Sequence, residues 1–275
     1  MSAILSTVPA PRLTQASIPL FREIDVTDET GTRRTLSVPA ERALTIYVDK
    51  KEVVTLMTLG AHPEWLTLGY LLNQRLVESV SEVDSVTVDW EVGASAVRTR
   101  SSVTRLERPA ASRVVTTGCG QGSMFSDLLD RLEPLPQDSR KLLRSTLGRV
   151  VDAVRKQNTL YKTAGSVHAC ALFDGEDLRL FVEDVGRHNA LDTLAGWRAL
   201  ESRPESQALL YTTGRLTSEM IIKAAQMGVP FVISRSGTTE MAIEVAQRIG
   251  VCAIGRALHN RFICYTHPWR IEFDS

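Results

Sequence analysis

A chain of 275 residues with 43% hydrophobic and 23% charged side chains has room for one large domain, or a main domain with a small appendage, and the make-up of an ordinary globular protein. Lysine plus arginine and aspartate plus glutamate both number 32, so no basic excess points to a nucleic-acid backbone, and no apolar run reaches the roughly 18 residues of a membrane helix. The start, "MSAILSTVPAPRLTQ", has neither a basic n-region nor a long apolar stretch, so it is not read as a signal peptide.

Residues 1–35 mix proline, threonine and charge without a period and are expected as a loose arm. A small N-terminal α+β subdomain follows over 36–112. In it "RALTIYVDKKEVVTLMTL" reads as two strands around the polar turn DKKE, and "PEWLTLGYLLNQRLV" as a helix with Pro63 in its first turn. "VDSVTVDW" and "SAVRTRSSVTRL" alternate as strands do. Residues 113–134, opening with "RVVTTGCGQGSMF", form a glycine-rich cysteine loop expected to be flexible. From 135 to 275 lies the core. "QDSRKLLRSTLGRVVDAVRKQ" predicts a helix with Leu142, Leu143, Leu147, Val150, Val151 and Val154 on one face. "SVHACALF" and "LRLFVEDV" are strands around DGED. The chain then alternates: helix NALDTLAGWRAL, strand QALLYTT, helix SEMIIKAAQM, strand VPFVIS, helix TEMAIEVAQRI, strands VCAIGRA and FICYTH. Apolar strands flanked by helices predict a sheet buried on both faces, so the fold class is α/β, with a layered core.

Ligands of open α/β sheets bind beyond the carboxyl ends of the strands. Three loops leave strands and enter helices there: "EDVGRHNALD", "TTGRLTSE" and "SRSGTTE". Each holds one glycine and one arginine: Arg187, Arg215 or Arg235. Glycine admits an anion to backbone N–H groups, a helix N-terminus adds a favourable dipole, and arginine adds a bidentate fork. Serine and threonine before a helix also serve simply as N-caps, but three such loops on one rim predict a phosphorylated ligand. The first loop concentrates Asp184, His188, Asn189 and Asp192, which either face that ligand or satisfy buried groups. Ser234 and Ser236 flank Arg235. "RALHNRFICYTHP" brings His259, Asn260, Arg261, Tyr265 and His267 onto a turn and the strand after it, as a ligand site or a surface hairpin. Of the 32 basic residues 26 are arginine, a bias that fits either a GC-rich genome or oxyanion recognition.

Four cysteines, at 119, 170, 252 and 264, lack the paired spacing of a disulfide framework or zinc site, which places the chain in the reducing cytoplasm. Cys170, Cys252 and Cys264 sit among apolar strand residues and are expected as buried, inert thiols. Cys119 stands between Gly118 and Gly120, with Gly122 close by. A thiol on so supple a backbone suits covalent sulfur chemistry, in which it must visit a donor and then an acceptor.

"EDVGRHNALD", the run "GRLTSEMIIKAAQMGVPFVISRSGTTEMAIEVAQRIG", "YTHP" near the end and "TGCG" before the first long helix of the core resemble the FdhD family, in consistent order from about residue 40 to 272. These are formate dehydrogenase accessory sulfurtransferases. The resemblance implies an α/β/α cytidine deaminase-like core with a mixed sheet, and a homodimer. It implies a sulfurtransferase that takes sulfur from a cysteine desulfurase and passes it to the molybdenum bis(molybdopterin guanine dinucleotide) cofactor of apo formate dehydrogenase. The family loop usually reads Cys-Gly-x-Cys, and its first cysteine, the persulfide carrier, corresponds to Cys119. The second falls at Gly122, a departure from the pattern. The family's cofactor-binding segment corresponds to Leu258, His259, Asn260, Arg261, Phe262 and Ile263. There the family more often has a basic residue and a glycine where Leu258 and His259 stand, while Arg261 and Phe262 match. With Arg187, His188, Asn189, Arg215, Ser234, Arg235 and Ser236 these form the expected cofactor site. No bound metal, nucleic acid or membrane is expected. Two other readings stand beside it. A cofactor-binding chaperone without catalysis fits the missing second cysteine, whereas a zinc deaminase requires His-x-Glu and Pro-Cys-x-x-Cys, and here Cys170 replaces the glutamate.

Overall fold

The chain enters the fold earlier than its pattern suggests. Strand β1 (Arg12–Leu13) and an exposed antiparallel ribbon of β2 (Phe21–Thr27) and β3 (Arg33–Pro39) occupy the segment expected as a loose arm. Both faces of the ribbon are largely in water, so no apolar alternation betrays it in the sequence. Its turn is local chemistry: one Asp28 carboxylate oxygen accepts from Thr30 N, Thr30 Oγ1 and Thr32 N. The computed structural model describes residues 9–101, 114–115, 133–136, 140–157, 159–201, 206–259 and 261–274.

The hairpin of β4 (Arg42–Val48) and β5 (Lys51–Thr58) forms around the DKKE turn, with β6 (Val83–Asp89), β7 (Ala94–Thr99) and β8 (Val114–Val115) completing a first sheet in the order β1-β6-β7-β4-β5-β8. Helix α1 (Pro63–Asn73) lays Leu66, Leu68 and Leu71 against Leu44, Ile46, Val54 and Leu56 of this sheet. It stops before the expected 77 because Arg75 turns left-handed (φ 53°).

The core is a second sheet: β10 (His168–Asp174), β11 (Asp177–Asp184), β12 (Ala208–Thr212), β13 (Phe231–Ser234), β14 (Cys252–Leu258) and β15 (Arg261–Cys264). The order is β11-β10-β12-β13-β14-β15, with β12, β13 and β14 parallel and the rest antiparallel. Helices α4 (Arg187–Leu200), α5 (Ser218–Gln226) and α6 (Glu240–Ile249) cover one face. Helix α2 (Arg144–Lys156) covers the other through Leu147, Val150, Val151 and Val154, and the short α3 (Leu160–Ala164) follows it. The expected helix over 137–157 begins only at Arg144. Leu142 and Leu143 instead form β9 (Leu142–Leu143), paired with β16 (Ile271–Glu272), which buries Leu142 and leaves Leu143 exposed. Among the described residues no helix is long and apolar enough to cross a membrane.

Helices α1 and α4 join the two sheets by crossing at glycines. A Cβ on Gly69 would sit 1.6 Å from the Asp192 carbonyl oxygen, and one on Gly196 would sit 1.9 Å from that of Trp65. Beside the crossing, Asn73 Nδ2 donates to Asp192 at 2.6 Å and Lys223 Nζ to the other Asp192 oxygen at 2.9 Å, all buried. Burial works against the Lys223 ammonium, but Asp192 and Glu219 outweigh it and hold its pKa above the ordinary lysine value. The other join is Asp184. Its carboxylate accepts from Thr58 Oγ1 at 2.6 Å and Leu59 N at 3.2 Å in the first sheet's unit. It also accepts from Gly186 N at 3.1 Å and Asn189 Nδ2 at 3.0 Å in its own loop.

Two outcomes follow. Gly69→Ala or Gly196→Ala drives a methyl into helix backbone, and each should lower stability by at least about 3 kcal/mol, read as a shift in urea midpoint. Burial raises the Asp184 pKa from 3.8 to about 6. The folded state therefore holds this proton more tightly than the unfolded chain, and its contribution declines as pH rises through that interval. The stability of the wild type relative to Asp184→Asn should fall from about pH 4 to about pH 6 and stay level above, measured by urea unfolding across that range.

Candidate functional site

The carboxyl ends of β12, β13 and β14 share one edge of the core sheet, since Thr212 pairs with Ser234 and Ile233 with Ile254. The loops leaving this edge are sutured together. Leu216 N donates to Gly237 O at 3.0 Å and Thr239 N to Leu216 O at 3.0 Å, while the Leu216 side chain is buried. Arg256 N reaches back to Ser236 O at 2.7 Å. The frame under the loops is therefore rigid, and it presents arginines.

Arg187, at the start of α4, is half-buried and lies against Gly214, where a Cβ would come within 2.7 Å of its Cδ. Arg215 and Arg235 are exposed on the two sutured loops. Burial and then the charge of Arg215 lower the pKa of Arg187, so these two guanidiniums are close enough to repel. His168, at the start of β10, is half-buried and kept neutral, first by burial and then by Arg187 and Arg215. No hydrogen bond or ion pair reaches the guanidiniums of Arg187, Arg215, Arg235 or Arg256 among the described residues, and Arg187 Nε is buried without an acceptor. Guanidiniums without a hydrogen-bonded acceptor, of which Arg187 feels the charge of Glu219, suit a phosphorylated ligand.

The expected site residues divide. Asn189 Nδ2 donates to Met57 O at 2.7 Å as well as to Asp184. Ser234 Oγ donates to Gly214 O at 2.6 Å and accepts from Ser236 N at 2.9 Å, fully buried. Asn189 and Ser234, expected at the ligand site, are thus buried and bonded to backbone carbonyls of the frame. His188 is largely buried with Nδ1 3.4 Å from Glu219, and burial, then Lys223, presses its pKa down to about 3. It is a neutral ring with a polar atom lacking a hydrogen-bond partner. Ser236 is half-buried at the rim.

The hairpin of β14 and β15 carries the other group. Leu258 pairs with Arg261, and Leu258, His259, Arg261 and Ile263 are exposed, whereas Phe262 turns inward onto the core. His259 adopts a left-handed backbone (φ 53°), the conformation in which glycine is least strained. Tyr265 packs on Gly255, and His267 Nε2 lies 3.3 Å from Ala246 O. Asn260 and Cys119 lie outside the described residues.

Sequence reading missed Arg256 and His168. A signal for Arg256 was present: the pair Gly-Arg recurs at 186–187, at the start of α4, at 214–215, in the loop after β12, and at 255–256, within the second half of β14. Cys170 matches its expectation as an inert thiol. Its Sγ donates to Thr212 Oγ1 at 3.4 Å, and burial pushes its pKa up to about 12.

The model of the FdhD/NarQ family matches residues 39–272. The sulfur carrier protein FdhD of Bacillus pumilus is 32% identical over 241 residues, spanning 87% of this chain and 92% of that protein. The protein of the same name from Bacillus subtilis is 32% identical over 233 residues, 84% of this chain and 89% of its own. Among solved structures, a putative formate dehydrogenase accessory protein from Desulfotalea psychrophila superposes with a TM-score of 0.74, covering 92% of this chain and all of that one at 24% identity, which is a likeness of fold. A family match running unbroken from β3 to β16 makes this chain a member of the FdhD/NarQ family.

Proposed function

We propose that this protein is a sulfur carrier required for formate dehydrogenase activity, moving sulfur as a persulfide on Cys119. The observation that carries the reading is the row of arginines on the carboxyl rim of the core sheet, within a chain of this family. The Cys119 thiolate attacks the outer sulfur of a persulfide on a cysteine desulfurase. A new S–S bond forms as the donor's breaks, and the donor cysteine leaves as a thiolate. The acceptor is the molybdenum bis-guanine-dinucleotide cofactor destined for apo formate dehydrogenase, handled as a client rather than kept.

In this reading Arg187, Arg215, Arg235 and Arg256 take the client's phosphates, with bidentate forks that need no proton exchange near neutral pH. His168, His188 and the 258–263 turn offer rings, backbone and apolar edges for its guanine. The core, with helices on both faces of a mixed sheet, is of the cytidine deaminase-like kind, and the working unit is a homodimer in the cytoplasm.

A titration with GDP tests the rim. The paired substitution Arg215→Ala and Arg235→Ala should weaken binding by tenfold or more, about 1.4 kcal/mol per decade, with unchanged melting temperature and a shallower salt dependence. Cys119 is tested separately. After incubation with desulfurase and cysteine, intact-mass spectrometry should find added sulfur on the wild type and none on Cys119→Ala. That variant should bind GDP normally yet fail to restore formate oxidation to a strain lacking its own FdhD. Full restoration by Cys119→Ala would instead identify a cofactor chaperone.

A further inference from the structure

Two thiols play no part in the rim. Cys252 opens β14 and Cys264 closes β15, which puts both toward the end of the sheet away from the arginines. Cys264 stands opposite Ile254, two residues on from Cys252, so the side chains project from one face as diagonal neighbours. Their sulfurs are 3.9 Å apart. Cys252 is buried, and Cys264 is half-buried on the outermost strand of the sheet. Cys264 Sγ also lies 3.2 Å from Thr266 O, and Cys252 Sγ 3.8 Å from His267 O.

This arrangement makes the two sulfurs unequal. The contact between the two sulfurs holds the pKa of Cys264 below the ordinary thiol value. The same contact, reinforced by burial, raises that of Cys252. A half-buried cysteine on the last strand of the sheet beside a fully buried one is the arrangement of an attacking and a resolving cysteine.

We propose that Cys264 and Cys252 form a thiol–disulfide exchange site for small-molecule disulfides of the glutathione class. The Cys264 thiolate attacks one sulfur of the small disulfide, expels the other half as a thiolate and holds a mixed disulfide. Cys252 gives its proton to the departing thiolate and attacks Cys264 Sγ. The Cys252–Cys264 bond forms and the second small-molecule thiolate leaves, to be protonated by water. One external disulfide becomes two thiols as the internal dithiol is oxidised. The sulfurs must close from 3.9 Å to about 2.05 Å. Among the described residues strand β15 has no further neighbour on its outer side, and its pairing with β14 is already irregular between Gly255 and Leu258. The same hairpin carries the 258–261 turn, so the bond would tie the base of a rim element.

The test treats the full-length folded protein with oxidised glutathione, alkylates free thiols, cuts with trypsin at Arg256 and Arg261, and maps peptides without reduction. The wild type should yield a Cys252–Cys264 cross-linked peptide pair. Cys252→Ser should stop at a stable glutathione adduct on Cys264, and Cys264→Ser should give no adduct on Cys252. Two results overturn the proposal: Cys264 still fully alkylated in the folded wild type, or the same Cys264 adduct in wild type and Cys252→Ser with no cross-link. The wild-type map decides even if a serine variant fails to fold.

Discussion

The Asp184 carboxylate is bonded from both structural units, by Thr58 and Leu59 on one side and Gly186 and Asn189 on the other. A buried carboxylate lacking donors would be costly enough to unmake the fold around it, whereas one with four is fixed in position. Because the donors come from separate units, the end of β5 and the loop 184–189 cannot move independently. The position of Arg187 follows, since it starts the helix that this loop leads into. The rim arginine is thus held in place by a fully bonded, buried carboxylate.

A second polar cluster works in the same sense one turn farther along α4. Asp192 links Asn73 of α1 to Lys223 of α5, and Lys223 reaches Glu219 at 3.3 Å, whose other oxygen faces His188. Apolar packing alone would leave α1 free to slide along α4. The glycine contacts remove the spacer between the helices, and the amide–carboxylate–ammonium chain then admits only one register. Buried pairs of this kind add little net stability over apolar packing, and losing one partner is expensive. Their worth here is geometric, because α5 begins just after Arg215.

The core was legible because its strands carry period-free apolar runs between amphipathic helices, which only a two-sided sheet accommodates. VPFVIS and QALLYTT became β13 and β12 with little adjustment. The β2–β3 ribbon was not legible, because strands solvated on both faces leave no periodicity. Leu142 and Leu143 misled for the opposite reason: apolar residues preceding a helix extend its pattern, and only the distant partner Ile271 makes them a strand. At the site, arginine and glycine spacing found the rim, but pattern alone could not separate ligand-facing polar groups from structural ones. Asn189 and Ser234 look like binding residues in sequence, and their partners Met57 O and Gly214 O are backbone atoms that no motif advertises.

Sorting the polar residues this way changes what the rim is built to hold. With Asp184, Asn189, Asp192 and Ser234 buried, this edge offers guanidiniums, neutral imidazoles and the Glu219 carboxylate, which is shared with Lys223, while the carboxylates of Asp184 and Asp192 are occupied below. Arg187 and Arg215 repel each other across Gly214, an unfavourable term present whenever the site holds no anion. It is relieved when negative charge is placed between them, so the gain on binding is larger for a ligand with several phosphates than for one with a single charge. A neutral nucleoside would leave the repulsion in place. In the proposed function this edge would therefore favour a ligand with several phosphates over a neutral one, and the rings of His168 and His188, held uncharged, would be free to meet a base by stacking or hydrogen bonding.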